Sequence, residues 1–195
     1  MAPLARLTSL SPPVNTEEPA SKSVVATCHN ASDCTKQLQA AFSSGAEKVH
    51  IPRLPNGRSW IVTPLRLHSN QIIELADDVE ILAKRNAFQS KYTGLLTGDG
   101  VSNVSIVGGA RSCIKMWRQD YANATKGVFY AKSEWRHGIN LIGVDGVTIR
   151  GLRVTETGGD GLQIASCEKG CAIQGLRNSQ NVLIEDCEFD HNYRQ

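Results

Sequence analysis

Two short polar segments of the sequence combine groups that transfer protons with groups that bind anions. The first, Trp135–His137, joins an aromatic ring, a guanidinium and an imidazole, and the second, Gly158–Asp160, ends on a carboxylate after two glycines. Imidazole and carboxylate side chains perform general acid–base catalysis. A guanidinium binds a carboxylate in bidentate fashion. Together these types indicate acid–base chemistry on an anionic substrate.

A hydrolase of glycosidic bonds would require two carboxylates near one another. Asp160 is the first candidate, and Asp190 or Glu156 is the candidate for the second. The distance between the two carboxylates decides between retaining and inverting hydrolysis. The sequence does not contain that distance, so both outcomes stay open.

A lyase or epimerase would require a base and a cation instead. The base removes the proton next to a uronate carboxylate, and the cation stabilises the enolate charge that develops. His137 and Tyr193 are candidates for the base, and Arg136 and Arg194 are candidates for the cation. Asp160 beside His137 is expected to orient the imidazole and favour its protonated form, which would raise its pKa.

Self-similarity along the chain shows how these segments come together. The stretch Asn181–Asp190 overlays Gly146–Thr155 position by position, and Asn103–Gly108 overlays the start of the same stretch. His137–Leu141 overlays Asp160–Ile164 in the same way, 23 residues later. Repeats of this length are typical of solenoids whose coils stack on one another. We therefore expect residues at equivalent repeat positions to be vertical neighbours.

The same overlay predicts the fold. Alternate apolar residues point inward and stack at a strand spacing of about 4.8 Å. One amphipathic helix near Asp33–Ser44, with Leu38, Ala41 and Phe42 on its apolar face and Gly45 at its end, covers the N-terminal end. We predict an all-β, right-handed parallel β-helix with a short N-terminal capping helix. The expected inward pairs are Val147/Val182, Ile149/Ile184, Val154/Phe189, Ile139/Leu162 and Leu141/Ile164.

The overlay also predicts a candidate substrate site. Gly158 and Gly159 lie between two bulky layers and form the floor of a notch roughly 10 Å wide. Stacked aromatic rings and guanidinium groups on its walls suit a charged sugar ring. The alternative is a tight corner in which the glycines supply positive φ angles. The walls would consist of Trp135, Arg136, Tyr193 and Arg194.

Composition restricts the class of protein. The 195 residues are 41% hydrophobic and carry a net charge of +2, with the basic residues scattered along the chain. Nucleic acid is therefore not expected as a partner, and no apolar run is long enough to cross a membrane. We expect a leader over residues 1–27 and a β-helix over 28–195. The last residues stop where the repeat requires another strand, so we expect the β-helix to be incomplete at that end.

Six cysteines and three N-x-S/T sequons favour secretion to an extracellular location. Cys28 with Cys34, and Cys167 with Cys171, have spacings that allow local disulfides. Neither pair has the spacing of a zinc site, so we assign no metal and no cofactor. The acidic cluster Asp77, Asp78 and Glu80 is explained by solvation. The protein is expected to be monomeric.

These cues resemble the pectin-lyase-like superfamily, which includes polygalacturonases, pectate lyases and uronate epimerases. The segment Thr157–Ile164, TGGDGLQI, is similar to the N-T-D-G-I-D-I segment of family 28 glycoside hydrolases. In that family the aspartate belongs to the catalytic carboxylates, and the resemblance assigns this role to Asp160. One coil later the family has G-D-D, where this chain has Tyr193, Arg194 and Gln195.

Three functions are therefore compatible with the sequence. The first is a carbohydrate-active protein that cleaves or modifies an acidic polysaccharide by lyase, epimerase or hydrolase chemistry. The second is a non-catalytic β-helix that binds or adheres to glycans through the same aromatic and basic groups. The third is an inactive truncated product.

Overall fold

The computed structural model describes residues 22–123, 130–167 and 178–194. Within them, the strands form three sheets in which all paired strands run parallel, and the chain visits the sheets in turn. The fold is the all-β parallel β-helix that the repeats predict. No helix in the described part of the chain is long and apolar enough to span a bilayer.

Each sheet collects one strand from successive coils. Sheet A consists of β1 (Ser23–Val25), β2 (Lys48–Ile51), β5 (Gln71–Leu75), β8 (Ser102–Gly108), β11 (Asp145–Arg150) and β14 (Gln180–Glu185). Sheet B consists of β3 (Trp60–Val62), β6 (Glu80–Ala83), β9 (Cys113–Lys115), β12 (Arg153–Thr155) and β15 (Glu188–Asp190). Sheet C consists of β4 (Leu65–Arg66), β7 (Leu96–Asp99), β10 (Ile139–Ile142) and β13 (Leu162–Ala165).

The predicted vertical register is confirmed. Val147 pairs with Val104 on one side and Val182 on the other, and Ile149 does the same with Ile106 and Ile184. The pairs Ile139/Leu162, Leu141/Ile164 and Val154/Phe189 are also present. Val147 and Ile149 are fully buried because coils cover them on both sides, whereas Ile184 in the last described coil is 40% exposed. Burial of stacked apolar side chains is the main source of stability in such a core.

Helix α1 spans Thr35–Phe42 and covers one end of the core. Its buried residues are Leu38, Ala41 and Phe42, as the sequence predicts. The N-cap is Cys34, and the Asp33 carboxylate accepts a 2.9 Å hydrogen bond from the N–H of Thr35. The adjoining disulfide between Cys28 and Cys34 is formed, with Cα atoms 5.1 Å apart. The start of α1 is thereby tied to the first coil.

Strand β1 lies within the segment that the sequence assigned to the leader. Val24 pairs with Val49, so sheet A begins ahead of residue 28. The three strand residues are too few to show a recognisable alternation. Residues 1–21 lie outside the described part of the chain.

A second short helix, α2, spans Arg118–Ala122 and has no counterpart in the sequence prediction. It has only one buried residue, Tyr121, so it presents no helical apolar stripe to be recognised. Tyr121 packs edge-on against Tyr130, with ring centroids 4.9 Å apart. This aromatic pair lies next to the segments that precede β10 and β13.

Cys167 and two residues of the predicted acidic cluster have ordinary structural partners, whereas Cys113 and Cys187 are free thiols. Cys167 is disulfide-bonded, while Cys171 lies outside the described residues. In the predicted acidic cluster, Asp78 pairs with Arg111 at 2.6 Å and Glu80 accepts a hydrogen bond from Ser59. No group of three or more His, Cys, Asp or Glu side chains among the described residues is arranged to hold a metal ion.

Candidate functional site

A groove of about 500 Å³ crosses the outer face of sheet C. Side chains that point outward from the four strands form its floor, and residues from the segments before β7 and β10 form its wall. Because sheet C takes one strand from each coil, the groove runs across several coils. The residues that line it include Arg66, Tyr92, Thr97, Asp99, Trp135, His137, Asn140 and Gln163.

Two aromatic side chains form the wall of the groove. The ring centroids of Tyr92 and Trp135 are 6.4 Å apart, and both side chains are exposed. The two segments are joined through Ser133, whose hydroxyl donates to the carbonyl of Lys91 and accepts from the N–H of Trp135. Trp135 therefore lies in the wall of this groove, where its neighbour is Tyr92 from the preceding coil.

Asp160 lines a second depression that adjoins the groove at Gln163, and its carboxylate lies between the side chains of His137 and Arg194. Its Oδ2 is 3.3 Å from Nδ1 of His137, and its Oδ1 is 3.4 Å from Nε of Arg194. The guanidinium of Arg194 stacks over Trp135, 5.1 Å from the ring centroid. The vertical neighbours predicted from the repeats, His137 and Asp160, are thus in contact. The side chain of Asp160 is 17% exposed.

The imidazole of His137 differs from the expectation of a protonated ring. Burial lowers its pKa, and the opposing effect of the Asp160 carboxylate is smaller. The side chain is only 2% exposed, and its Nδ1 accepts a 3.0 Å hydrogen bond from the main-chain N–H of Asp160. An Nδ1 that accepts a hydrogen bond carries no proton, so the neutral ring has its hydrogen on Nε2.

Arg136 differs most from its predicted place. Its side chain is fully buried and donates to the carbonyls of Phe88, Gln89 and Ala131. The guanidinium also lies over the ring of Tyr121, 5.2 Å from its centroid. Burial lowers its pKa. Arg136 therefore holds two loops together and does not reach the groove.

Gly158 and Gly159 do not floor an open notch. A Cβ atom on Gly158 would lie 2.5 Å from the ring of Tyr121, and one on Gly159 would lie 2.9 Å from Nδ1 of His137. Neither glycine has a positive φ, so the alternative of a left-handed corner is not observed either. The space above both residues is filled by neighbouring groups. The glycines are required for close packing.

The remaining sequence candidates lie apart from the groove. The carboxylate of Asp190, on sheet B, pairs with Arg153 at 2.5 Å. Hydrogen bonds from Arg153 hold its pKa well below the usual range. Tyr193 is exposed, and its N–H donates to the carbonyl of Thr157. Of the candidates, Asp160, His137, Arg194 and Trp135 form one cluster.

Sequence reasoning did not select several residues of the site. Glu134 lies 3.7 Å from the guanidinium of Arg194, so one guanidinium contacts two carboxylates. Its position next to Trp135 in the sequence is the one signal that pointed to it. Tyr92, Arg66 and Asn140 enter the groove because the coils place them there. No local motif marks them.

Fold and site together define a parallel β-helix protein with an aromatic-walled groove on one sheet. No family model matches the chain, and no curated protein matches it. A solved structure from Parabacteroides merdae, described as a "putative glycosyl hydrolase", aligns over 85% of this chain and 95% of its own. Its sequence identity is 14% and its TM-score is 0.42.

Proposed function

We propose that this chain is a carbohydrate-active protein that binds an acidic polysaccharide along the groove of sheet C and hydrolyses it at Asp160. The observation that carries the proposal is the cluster of Asp160, Arg194 and Trp135. Trp135 lines the groove, and Asp160 and Arg194 line the depression that adjoins it at Gln163. Carbohydrate binding sites combine an aromatic surface with a few polar groups that fix orientation. The resemblance of TGGDGLQI to family 28 glycoside hydrolases supports the same residue.

The groups around the groove suit an anionic sugar chain. Tyr92 and Trp135 offer apolar faces, while Arg66 lines the other end of the groove. A guanidinium pairs with a uronate carboxylate through two parallel hydrogen bonds. The chain would lie across the strands, because the groove extends from Arg66 on β4 to Gln163 on β13.

The carboxylates favour hydrolysis over elimination. Asp160 and Glu134 contact the same guanidinium, at 3.4 and 3.7 Å, which supports them as a pair for general acid and base or nucleophile roles. Elimination would require a base, and the imidazole of His137 is unsuited because Nδ1 already accepts a hydrogen bond. Asp190 is unsuited as the second carboxylate because it lies on β15 of sheet B, apart from the groove on sheet C.

A non-catalytic glycan-binding module is the second candidate. Asp160 already pairs with Arg194 and contacts His137. These contacts favour a structural role for its carboxylate, which would hold the neighbouring side chains in place. In that case Tyr92 and Trp135 would hold the glycan and no bond would be cleaved. An extracellular location is proposed for either function, because the disulfide between Cys28 and Cys34 suits an oxidising compartment.

Product analysis separates these functions. The protein is incubated with polygalacturonate, alginate and a neutral galactan, while reducing ends and the absorbance of unsaturated products are followed. New reducing ends without unsaturation, abolished in Asp160→Asn and reduced at least about a hundredfold in Glu134→Gln, are expected for the proposed hydrolase. The Asp190→Asn variant is the matched control and keeps its activity.

Each other outcome has a definite meaning. Unsaturated products would show that the protein is a lyase and not a hydrolase. Binding of polygalacturonate or alginate without any product would support the glycan-binding module. Turnover that is equal in Asp160→Asn and wild type would remove Asp160 from the site.

A further inference from the structure

Two polar atoms at the groove are buried without a hydrogen-bond partner among the described residues. They are Nε2 of His137 and Oδ1 of Asn140, and both residues line the groove on sheet C. Buried polar atoms in folded proteins nearly always have a partner. A pair of unpaired atoms in one groove therefore points to a ligand that supplies the missing hydrogen bonds.

The two atoms have opposite hydrogen-bonding character. Nδ1 of His137 accepts the N–H of Asp160 at 3.0 Å, so the hydrogen of the neutral ring is on Nε2, which is a donor. Burial lowers the pKa of His137 and keeps the ring neutral near pH 7. Oδ1 of Asn140 is an acceptor. The groove thus presents one unpaired donor and one unpaired acceptor.

We propose that Nε2 of His137 and Oδ1 of Asn140 form a subsite for free hydroxyl groups of a sugar ring. A hydroxyl both donates and accepts, so a single group or two adjacent ones complement this pair. The inference rests on the proposed function and names the part of the sugar that is recognised. It also excludes rings whose hydroxyl at this position carries an acetyl ester, since such a ring would leave Asn140 Oδ1 unpaired.

A uronate carboxylate is not the group that fits this subsite. A carboxylate only accepts hydrogen bonds, so it would place an anion against the acceptor oxygen of Asn140. Asp99 lines the same groove and would repel it further. The carboxylates of a bound chain instead match Arg66, which lines the groove, and Arg194, which stacks over Trp135 beside it. The subsite therefore recognises the uncharged face of the sugar.

The test measures binding of defined oligosaccharides by calorimetry at pH 7. The probes are the tetramers of galacturonate and mannuronate, their O-acetylated forms, and an uncharged galactose tetramer. In Asn140→Leu, binding of the unmodified tetramer that binds best is expected to weaken about tenfold, because one hydrogen bond is lost and a buried donor remains. O-acetylation is expected to weaken wild-type binding by a similar factor and to have little further effect in Asn140→Leu.

A matched control is Thr148→Ala, on the outer face of sheet A and away from the groove. It is expected to bind like wild type. Nitrogen-15 NMR of the histidine ring gives a second measurement in the unmutated protein, which removes any dependence on the folding of a variant. The Nε2–H resonance of His137 is expected to shift when the tetramer binds. A purely structural role for the two residues would change stability without distinguishing free from acetylated hydroxyls.

The outcomes separate this inference from the proposed function. Acidic tetramers that bind equally to wild type and Asn140→Leu, with no NMR shift, would overturn the subsite and leave the function standing. Binding confined to the galactose tetramer but sensitive to Asn140→Leu would support the subsite and overturn the preference for acidic chains. Absence of binding by every tetramer would overturn both.

Discussion

The main-chain N–H of Asp160 donates a 3.0 Å hydrogen bond to Nδ1 of His137, which belongs to the preceding coil. The bond ties together the two segments that lead into β10 and β13 of sheet C, and His137 lines the groove. The same contact sets the tautomer of the imidazole. One contact between coils thus joins the two segments and sets the hydrogen-bonding character of the imidazole.

The first prediction concerns pH. Because burial lowers the pKa of His137 in the folded state, the unfolded chain takes up more protons as the pH falls below about 6.5. The contribution of the neutral His137 ring to the free energy of unfolding is therefore fully present above that pH. It is lost as the pH falls towards the lowered pKa of His137 in the folded state. The measurement is the free energy of unfolding in urea between about pH 5 and pH 7.5. His137→Gln is expected to have a flatter profile, and identical slopes would contradict the prediction.

The second prediction is that Arg136 acts through stability. Arg136→Ala would leave the carbonyls of Phe88, Gln89 and Ala131 without their donor in a buried place. We expect a loss of about 3 kcal/mol in the free energy of unfolding. Arg53→Ala, which removes an exposed arginine with a surface ion pair to Asp78, serves as control and should cost at most about 1 kcal/mol. An Arg136→Ala protein as stable as wild type would show that the guanidinium is not structural.

The third prediction tests the close packing of the glycines. Gly158→Ala places a methyl group 2.5 Å from the ring of Tyr121 and is expected to cost about 1–3 kcal/mol by overpacking. Tyr121→Leu removes the clashing ring. In a double-mutant cycle the cost of Gly158→Ala should therefore shrink in the Tyr121→Leu background. Equal costs in both backgrounds would mean that the ring is not the obstacle.

The fourth prediction separates Asp190 from the reaction. Asp190→Asn breaks a bidentate pair with Arg153 on sheet B, and an exposed ion pair contributes at most about 1 kcal/mol. Stability should fall slightly, and the rate of polysaccharide hydrolysis should stay within about twofold of wild type. A large loss of hydrolysis in a protein with normal urea unfolding would restore Asp190 as a catalytic candidate.

The fifth prediction compares two exposed aromatic residues. Trp135 lines the groove, whereas Tyr193 lies outside it, although the sequence predicted both as substrate-binding. Trp135→Ala is expected to weaken binding of an acidic tetramer about tenfold, because a large aromatic contact is lost. Tyr193→Ala should leave the affinity unchanged. Equal losses of affinity in the two variants would show that the binding surface includes Tyr193 as well as Trp135.

The interior of this protein could be predicted from the sequence because vertical stacking is periodic. Val147, Ile149 and Leu141 recur at positions set by the coil length, and an inward residue has little choice of neighbour. The contact of His137 with Asp160 follows from the same register. The amphipathic helix and the disulfide between Cys28 and Cys34 are local features, so their spacing was sufficient.

Only the tertiary structure decided what the side chains outside the coils do. Register places Arg136 beside Gly158, but helix α2 brings the ring of Tyr121 against both residues, and the predicted rim residue Arg136 is buried. In the same way, the conformations of the loops before β7 and β10 place Tyr92 next to Trp135. Loops of unequal length follow no repeat, so their paths depend on packing between residues distant in sequence. The sequence by itself determined which residues stack within the β-helix, and the folded loops decided which of them remain open to a ligand.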